Sequence, residues 1–114
     1  MKTLIVPTDF SPVATNAMNY AADMALQINA SLMLFHVYQV PVAVSEVPLP
    51  LISLDELKAQ AESKLAKVKS DLEHITSGKL KIYTEARLGN TVDELEDVCS
   101  KIKPFAVVMG SVGH

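Results

Sequence analysis

Apolar residues along this chain fall into short unbroken runs and longer stripes at helical spacing, and the two alternate. Leu4-Ile5-Val6, closed by Pro7-Thr8-Asp9, predicts a first strand. Ser11-Pro12 then has the form of an N-cap serine with proline in the first helical turn. Ala14, Met18, Ala21, Ala22, Ala25 and Leu26 follow at three- and four-residue spacing, a stripe whose small alanines let a helix lie close against a sheet. Asn29-Ala30 ends that helix. Ser31 to Tyr38 is almost continuously apolar, as expected of a parallel strand covered on both faces.

Between Gln39 and Ile52, Pro41, Pro48 and Pro50 interrupt Val, Ala and Leu, which excludes a regular helix or central strand and predicts a loop folded back on the domain. Ser53-Leu54-Asp55-Glu56 has capping-box spacing, and Leu57, Ala61, Leu65, Val68 and Leu72 form the stripe of a second helix that ends by Gly78. From Leu80 to Leu88 apolar or small residues alternate with Lys81, Tyr83, Glu85 and Arg87, which predicts an edge strand with one wet face. Gly89-Asn90 makes a turn, Thr91 to Glu94 reads as a second capping box, and Val92, Leu95, Val98, Cys99 and Ile102 predict the buried stripe of a third helix. Pro104 stops it, and Phe105 to Met109 is a fourth strand by its unbroken apolar run.

Strands alternating with helices of this length imply an α/β fold with right-handed crossovers and a mainly parallel sheet. The 114 residues fit one domain near the low end of the size range in which a single core suffices. With 49% hydrophobic and 20% charged residues the chain is expected to fold. A net charge of −3, with no Lys/Arg run, gives no footprint for nucleic acid. The apolar stretches, Leu32 to Phe35 among them, are far short of a membrane span, so no membrane partner is expected. One cysteine and a first segment without a signal-type apolar core point to a reducing, cytoplasmic setting.

Open α/β sheets bind ligands outside the carboxyl ends of their strands. Two strand ends here carry signals: Pro7-Thr8-Asp9 after the first, and Gly110-Ser111-Val112-Gly113 after the fourth, where glycines let backbone amides approach phosphate oxygens. Each signal is weak alone; if strands one and four are neighbours, both border one crevice.

The run Ile5-Val6-Pro7-Thr8-Asp9-Phe10-Ser11-Pro12, then Phe35-His36-Val37, the Gly89 turn, and Val107-Val108-Met109-Gly110-Ser111-Val112-Gly113-His114 together resemble the universal stress protein family over the whole chain. The resemblance implies a Rossmann-like, adenine-nucleotide α-hydrolase-like sheet in the order 3-2-1-4, the family's 3-2-1-4-5 without its last helix and strand. In that order, handedness puts the first two helices on one face and the third on the other. The resemblance implies ATP or another adenine nucleotide as ligand, with Asp9 contacting the nucleoside and Pro7, Thr8 and Val37 bordering the adenine. Met109, Gly110 and Gly113 would line the ribose and phosphate side. The family's glycine pattern continues nine residues past its second glycine to Gly and Ser or Thr; Gly110 and Gly113 match its first half, so the domain is expected to be incomplete and phosphate recognition reduced. Mg is implied only as a companion of ATP, and the sequence requires no metal. A fourth strand without its family neighbours is expected to recruit a second copy, giving a homo-oligomer.

The remaining residues read more plainly. His36 in an apolar strand predicts a satisfied core histidine, His74 a solvated one, and His114 a mobile chain-end residue. Cys99 falls on a buried stripe and predicts a core role. No grouping for hydrolase or metal chemistry can be argued, so catalysis beyond slow ATP hydrolysis is not expected. Two functions compete: a nucleotide-binding regulatory module of the stress response, and a stress-response interaction module that binds no nucleotide. A receiver domain lacks its acidic cluster and phosphoacceptor, and a dinucleotide-binding domain lacks its glycine fingerprint after strand one.

Overall fold

A computed structural model of the chain describes residues 2–39 and 54–110. The elements run β1 (Thr3–Pro7), α1 (Pro12–Ile28), β2 (Ser31–Tyr38), α2 (Leu54–Ile75), β3 (Ile82–Leu88), α3 (Thr91–Ile102) and β4 (Ala106–Val107). The four strands form one parallel sheet in the order β3-β2-β1-β4. Leu4 of β1 pairs with Leu32 of β2 on one side and Ala106 of β4 on the other, so the first strand is central.

Alternation along the strands divides the core. Leu4, Val6, Leu32 and Leu34 face α1 and α2, where Met18, Ala21, Ala25, Leu65 and Leu72 cover them. Ile5 and Phe35 point the other way and meet Val98 of α3, with Leu95, Cys99 and Ile102 around it. Two successive right-handed crossovers thus share a face and the reversed one takes the opposite face. Along α1, Ala14, Met18, Ala21, Ala22 and Ala25 are buried.

Helix ends follow local chemistry. Ser11 caps α1 by accepting from the Ala14 amide. Asn29 closes the helix in the left-handed region at φ 58°, a conformation asparagine tolerates, with its N–H on the Ala25 carbonyl.

Several expectations are corrected. The cap of α3 is Asn90, whose Oδ1 accepts from the amides of Val92 and Asp93, so Thr91 is already helical and the Thr91 to Glu94 box does not form as read. Val92, in the first turn of α3, is 62% exposed and leaves the buried stripe. Leu26 is 39% exposed, because one residue past Ala25 turns about 100° further round the helix. Pairing of β3 starts at Ile82 rather than Leu80, although Leu80 is buried in the core. β4 shortens to two residues, since an edge strand keeps regular pairing only where it lies level with Leu4 and Ile5. The loop expected from Gln39 to Ile52 falls outside the described residues from residue 40 on, as does the Ser53 cap.

Candidate functional site

All four strands point the same way, so their carboxyl ends share one edge of the sheet. The chain runs outward from β1 through β2 to β3, then returns to β4 on the other side of β1, which makes the gap between β1 and β4 the switch point. A cleft of about 450 Å³ opens there, within the size range of small-molecule sites. Pro7 at the end of β1 and Thr8 and Asp9 after it, Phe35, His36 and Val37 at the end of β2, and Met109 and Gly110 after β4 line it, together with the cap residue Ser11, Val13 and Ala14 of α1 and Thr91 of α3.

Thr8 is the fixed point of this edge. Its N–H donates to the Phe35 carbonyl at 2.8 Å, its carbonyl accepts from His36 Nδ1 at 2.8 Å, and its Oγ1 accepts from the Phe10 amide at 3.0 Å. That last bond turns the chain sharply, and Phe10 takes the left-handed φ of 65°. Such a backbone is uncommon for an aromatic residue and costs about 1–2 kcal/mol, offset here by bonds on either side. The Phe10 ring lies 4.6 Å from the His36 ring.

Asp9 follows Thr8 and stays exposed. Its Oδ1 accepts from the Ser11 amide at 2.9 Å. The Ser11 hydroxyl, then the Ser11 amide, hold its carboxyl below the ordinary carboxylate value. Asp9 is therefore ionised at neutral pH and can only accept, which suits hydroxyl and amine donors. The first turns of α1 and α3 border the same cleft, and their amides and dipoles favour negative charge. The cleft thus has an acceptor at Asp9 and electropositive helix ends nearby.

Gly110 closes the side toward β4. A Cβ built there would lie 2.7 Å from Val13 Cγ1 and 2.8 Å from the Val13 carbonyl oxygen, so only glycine lets the strand exit pass this close to α1. On the far side, Arg87 bonds Asp97 and Glu85 and sits 3.5 Å from Glu94, tying β3 to α3. Its guanidinium also lies over the ring of Phe35, at 5.9 Å.

Six of the residues singled out in the sequence, Pro7, Thr8, Asp9, Val37, Met109 and Gly110, stand around this one cleft. Gly113 and His114 lie outside the described residues. His36 differs from its expectation: it is half-buried at the cleft rather than in the core. Sequence reasoning also passed over Ser11, Phe35 and Thr91. The place of His36 follows from register, since Pro7 pairs with Phe35 and the next residue along β2 then stands level with Thr8. Cys99 is half-buried beside Ile5, Phe35 and Val98. Among the described residues no three His, Cys, Asp or Glu side chains gather as metal ligands, and no helix is long and apolar enough to cross a membrane.

The profile of the universal stress protein family matches residues 1–114. The chain belongs to the universal stress protein family. Universal stress protein MJ0531 of Methanocaldococcus jannaschii is 31% identical over 115 residues, which cover 98% of this chain. The chain spans 65% of that relative's length. Among solved structures, a universal stress protein from Burkholderia pseudomallei superposes with a TM-score of 0.72 at 18% identity, over 96% of this chain and 81% of that one. A universal stress protein crystallised in complex with cAMP gives a TM-score of 0.70 at 22% identity, over 94% of this chain and 74% of the other. At these identities the likeness is one of fold. An adenine nucleotide, the ligand expected of the family, fits the residues present: Asp9 suits the donors of a nucleoside, and the α1 terminus beside Gly110 suits a phosphate.

Proposed function

We propose that this chain is a regulatory module of the stress response that takes an adenine nucleotide or nucleoside in the cleft between Asp9 and Gly110. The observation that carries this reading is the meeting of an ionised acceptor, Asp9, with a glycine pressed against the first turn of α1 at the switch point of the sheet. A family member of the same fold in complex with cAMP supports it. Pro7, Thr8 and Val37 border the base, while Met109, Gly110 and Gly113 serve the ribose and phosphate side. Mg enters only with the phosphates of ATP, and the setting is cytoplasmic. Binding changes which partners the protein meets; no catalytic step is assigned.

The β4 edge favours self-association. Among the described residues β4 pairs on one side, with β1, and Phe105 and Met109 beside it are 55% and 59% exposed. A second copy covering this region would remove an apolar edge from water.

Calorimetry with ATP, AMP and adenosine tests the binding, alongside mass spectrometry of the denatured protein for copurified nucleotide. Asp9→Ala is expected to weaken adenosine binding by about 1–3 kcal/mol, the range for losing a hydrogen bond to a charged group. Absence of binding for all three ligands would favour the nucleotide-free interaction module instead.

A further inference from the structure

A carbonyl oxygen can only accept, so the 2.8 Å contact between His36 Nδ1 and the Thr8 carbonyl requires the proton on Nδ1. In the neutral ring the other nitrogen, Nε2, then carries a lone pair and no hydrogen. Every buried side-chain nitrogen and oxygen among the described residues has a partner. Nε2 of His36 has none among them, so it is reachable from outside, and the cavity that His36 borders is the cleft. The ring is not free to turn: Thr8 holds one edge, and Phe10 lies against it at 4.6 Å with the planes inclined by 49°. Lys64 Nζ stands 5.7 Å from the centroid of Phe10, which adds weight to the position of that ring.

We propose that His36 is a specificity residue of this cleft, whose Nε2 accepts a hydrogen bond from a neutral donor on the ligand while Nδ1 holds Thr8 in place. The inference rests on the adenine reading above and adds a second acceptor to Asp9. Two acceptors in one cleft select a ligand that brings donors, which a nucleoside does through its exocyclic amine and its ribose hydroxyls. A lone phosphate brings negative charge toward the ionised Asp9 and is turned away from this part of the cleft. An adenine amine and a ribose hydroxyl offer the same chemistry to Nε2, and analogues tell them apart.

The test begins with the imidazole nitrogen-15 spectrum of the ligand-free chain. Protonated Nδ1 with bare Nε2 is expected; a proton on Nε2 overturns the proposal whatever the variants do. His36→Asn keeps an amide N–H near the Nδ1 position and removes the acceptor. It is expected to unfold at the same urea concentration as the parent and to bind adenosine roughly tenfold more weakly. Of N6,N6-dimethyladenosine and 2′,3′-dideoxyadenosine, the one lacking the donor that Nε2 recognises should bind the parent poorly and lose nothing further in the variant. A parent that binds adenosine and a variant that binds it equally well would remove His36 from recognition and leave the adenine reading intact. A parent that binds no adenine compound would remove both.

Discussion

Gly110 approaches Val13 so closely that a Cβ on the glycine would stand 2.8 Å from the Val13 carbonyl oxygen and 3.0 Å from its carbonyl carbon. Both are backbone atoms in the first turn of α1, which cannot step aside as a side-chain tip can. Gly110→Ala is therefore expected to destabilise by about 1–3 kcal/mol, the range for forced overpacking. Urea unfolding would measure it, and a midpoint equal to the parent's would mean that the strand exit relaxes without cost.

Thr8 makes a sharper case, because its hydroxyl and its backbone do separable work. Thr8→Val keeps the shape but takes the acceptor from the Phe10 amide, with an expected cost of about 1–2 kcal/mol. Thr8→Ser keeps the acceptor and should stay closer to the parent. If both variants unfold at the same denaturant concentration, the Phe10 turn is held by something other than this bond.

Acid should loosen the tie between β3 and α3. The Arg87 hydrogen bond, then that of Lys101, holds the Asp97 carboxyl below its ordinary value of 3.8. A carboxyl whose folded value is depressed stabilises fully above the unfolded value and loses that contribution as pH falls through the folded one. Asp97 is exposed, so the contribution is modest and weakened by salt. In Asp97→Asn, the drop in urea midpoint between pH 7 and pH 3 should be smaller than in the parent. An unchanged drop would place the acid sensitivity in other carboxylates.

Asn90 caps α3 through two amides, and Asn90→Ala is expected to cost about 1 kcal/mol. Asn90→Asp should retain the cap and gain from the helix dipole. Thermal unfolding followed by circular dichroism distinguishes them. If Thr91→Ala proves the more damaging of the two alanine changes, the cap lies one residue later.

Local signals in the sequence carried the elements whose causes are local. β2 was legible from Ser31 to Tyr38 because a strand covered on both faces needs no alternation, and Ser11 was legible as a cap because Pro12 follows it. Thr91 was misread because Asn90 and Thr91 both suit a cap and only the backbone decides between them. Phe105, Val108 and Met109 dropped out of β4 since pairing depends on where β1 offers partners. His36 was the largest miss at the cleft. Its place follows from the register of two strands, and its bond to Thr8 reaches across 28 positions of sequence. Gly110 was picked out for phosphate approach, while its visible constraint is the helix it touches.

The central position of β1 has a consequence for how the molecule is made. Its second neighbour, β4, comes about a hundred residues later in the chain. At a synthesis rate of about 5–20 residues per second, β1 waits roughly 5–20 s before that partner exists. During that interval β1 can pair with β2 while its other edge stays open, a row of unsatisfied amides and carbonyls flanked by Leu4, Ile5 and Val6. The most deeply buried strand of the finished protein thus carries an open edge through most of the synthesis of this chain, and it is there that chaperones would find it.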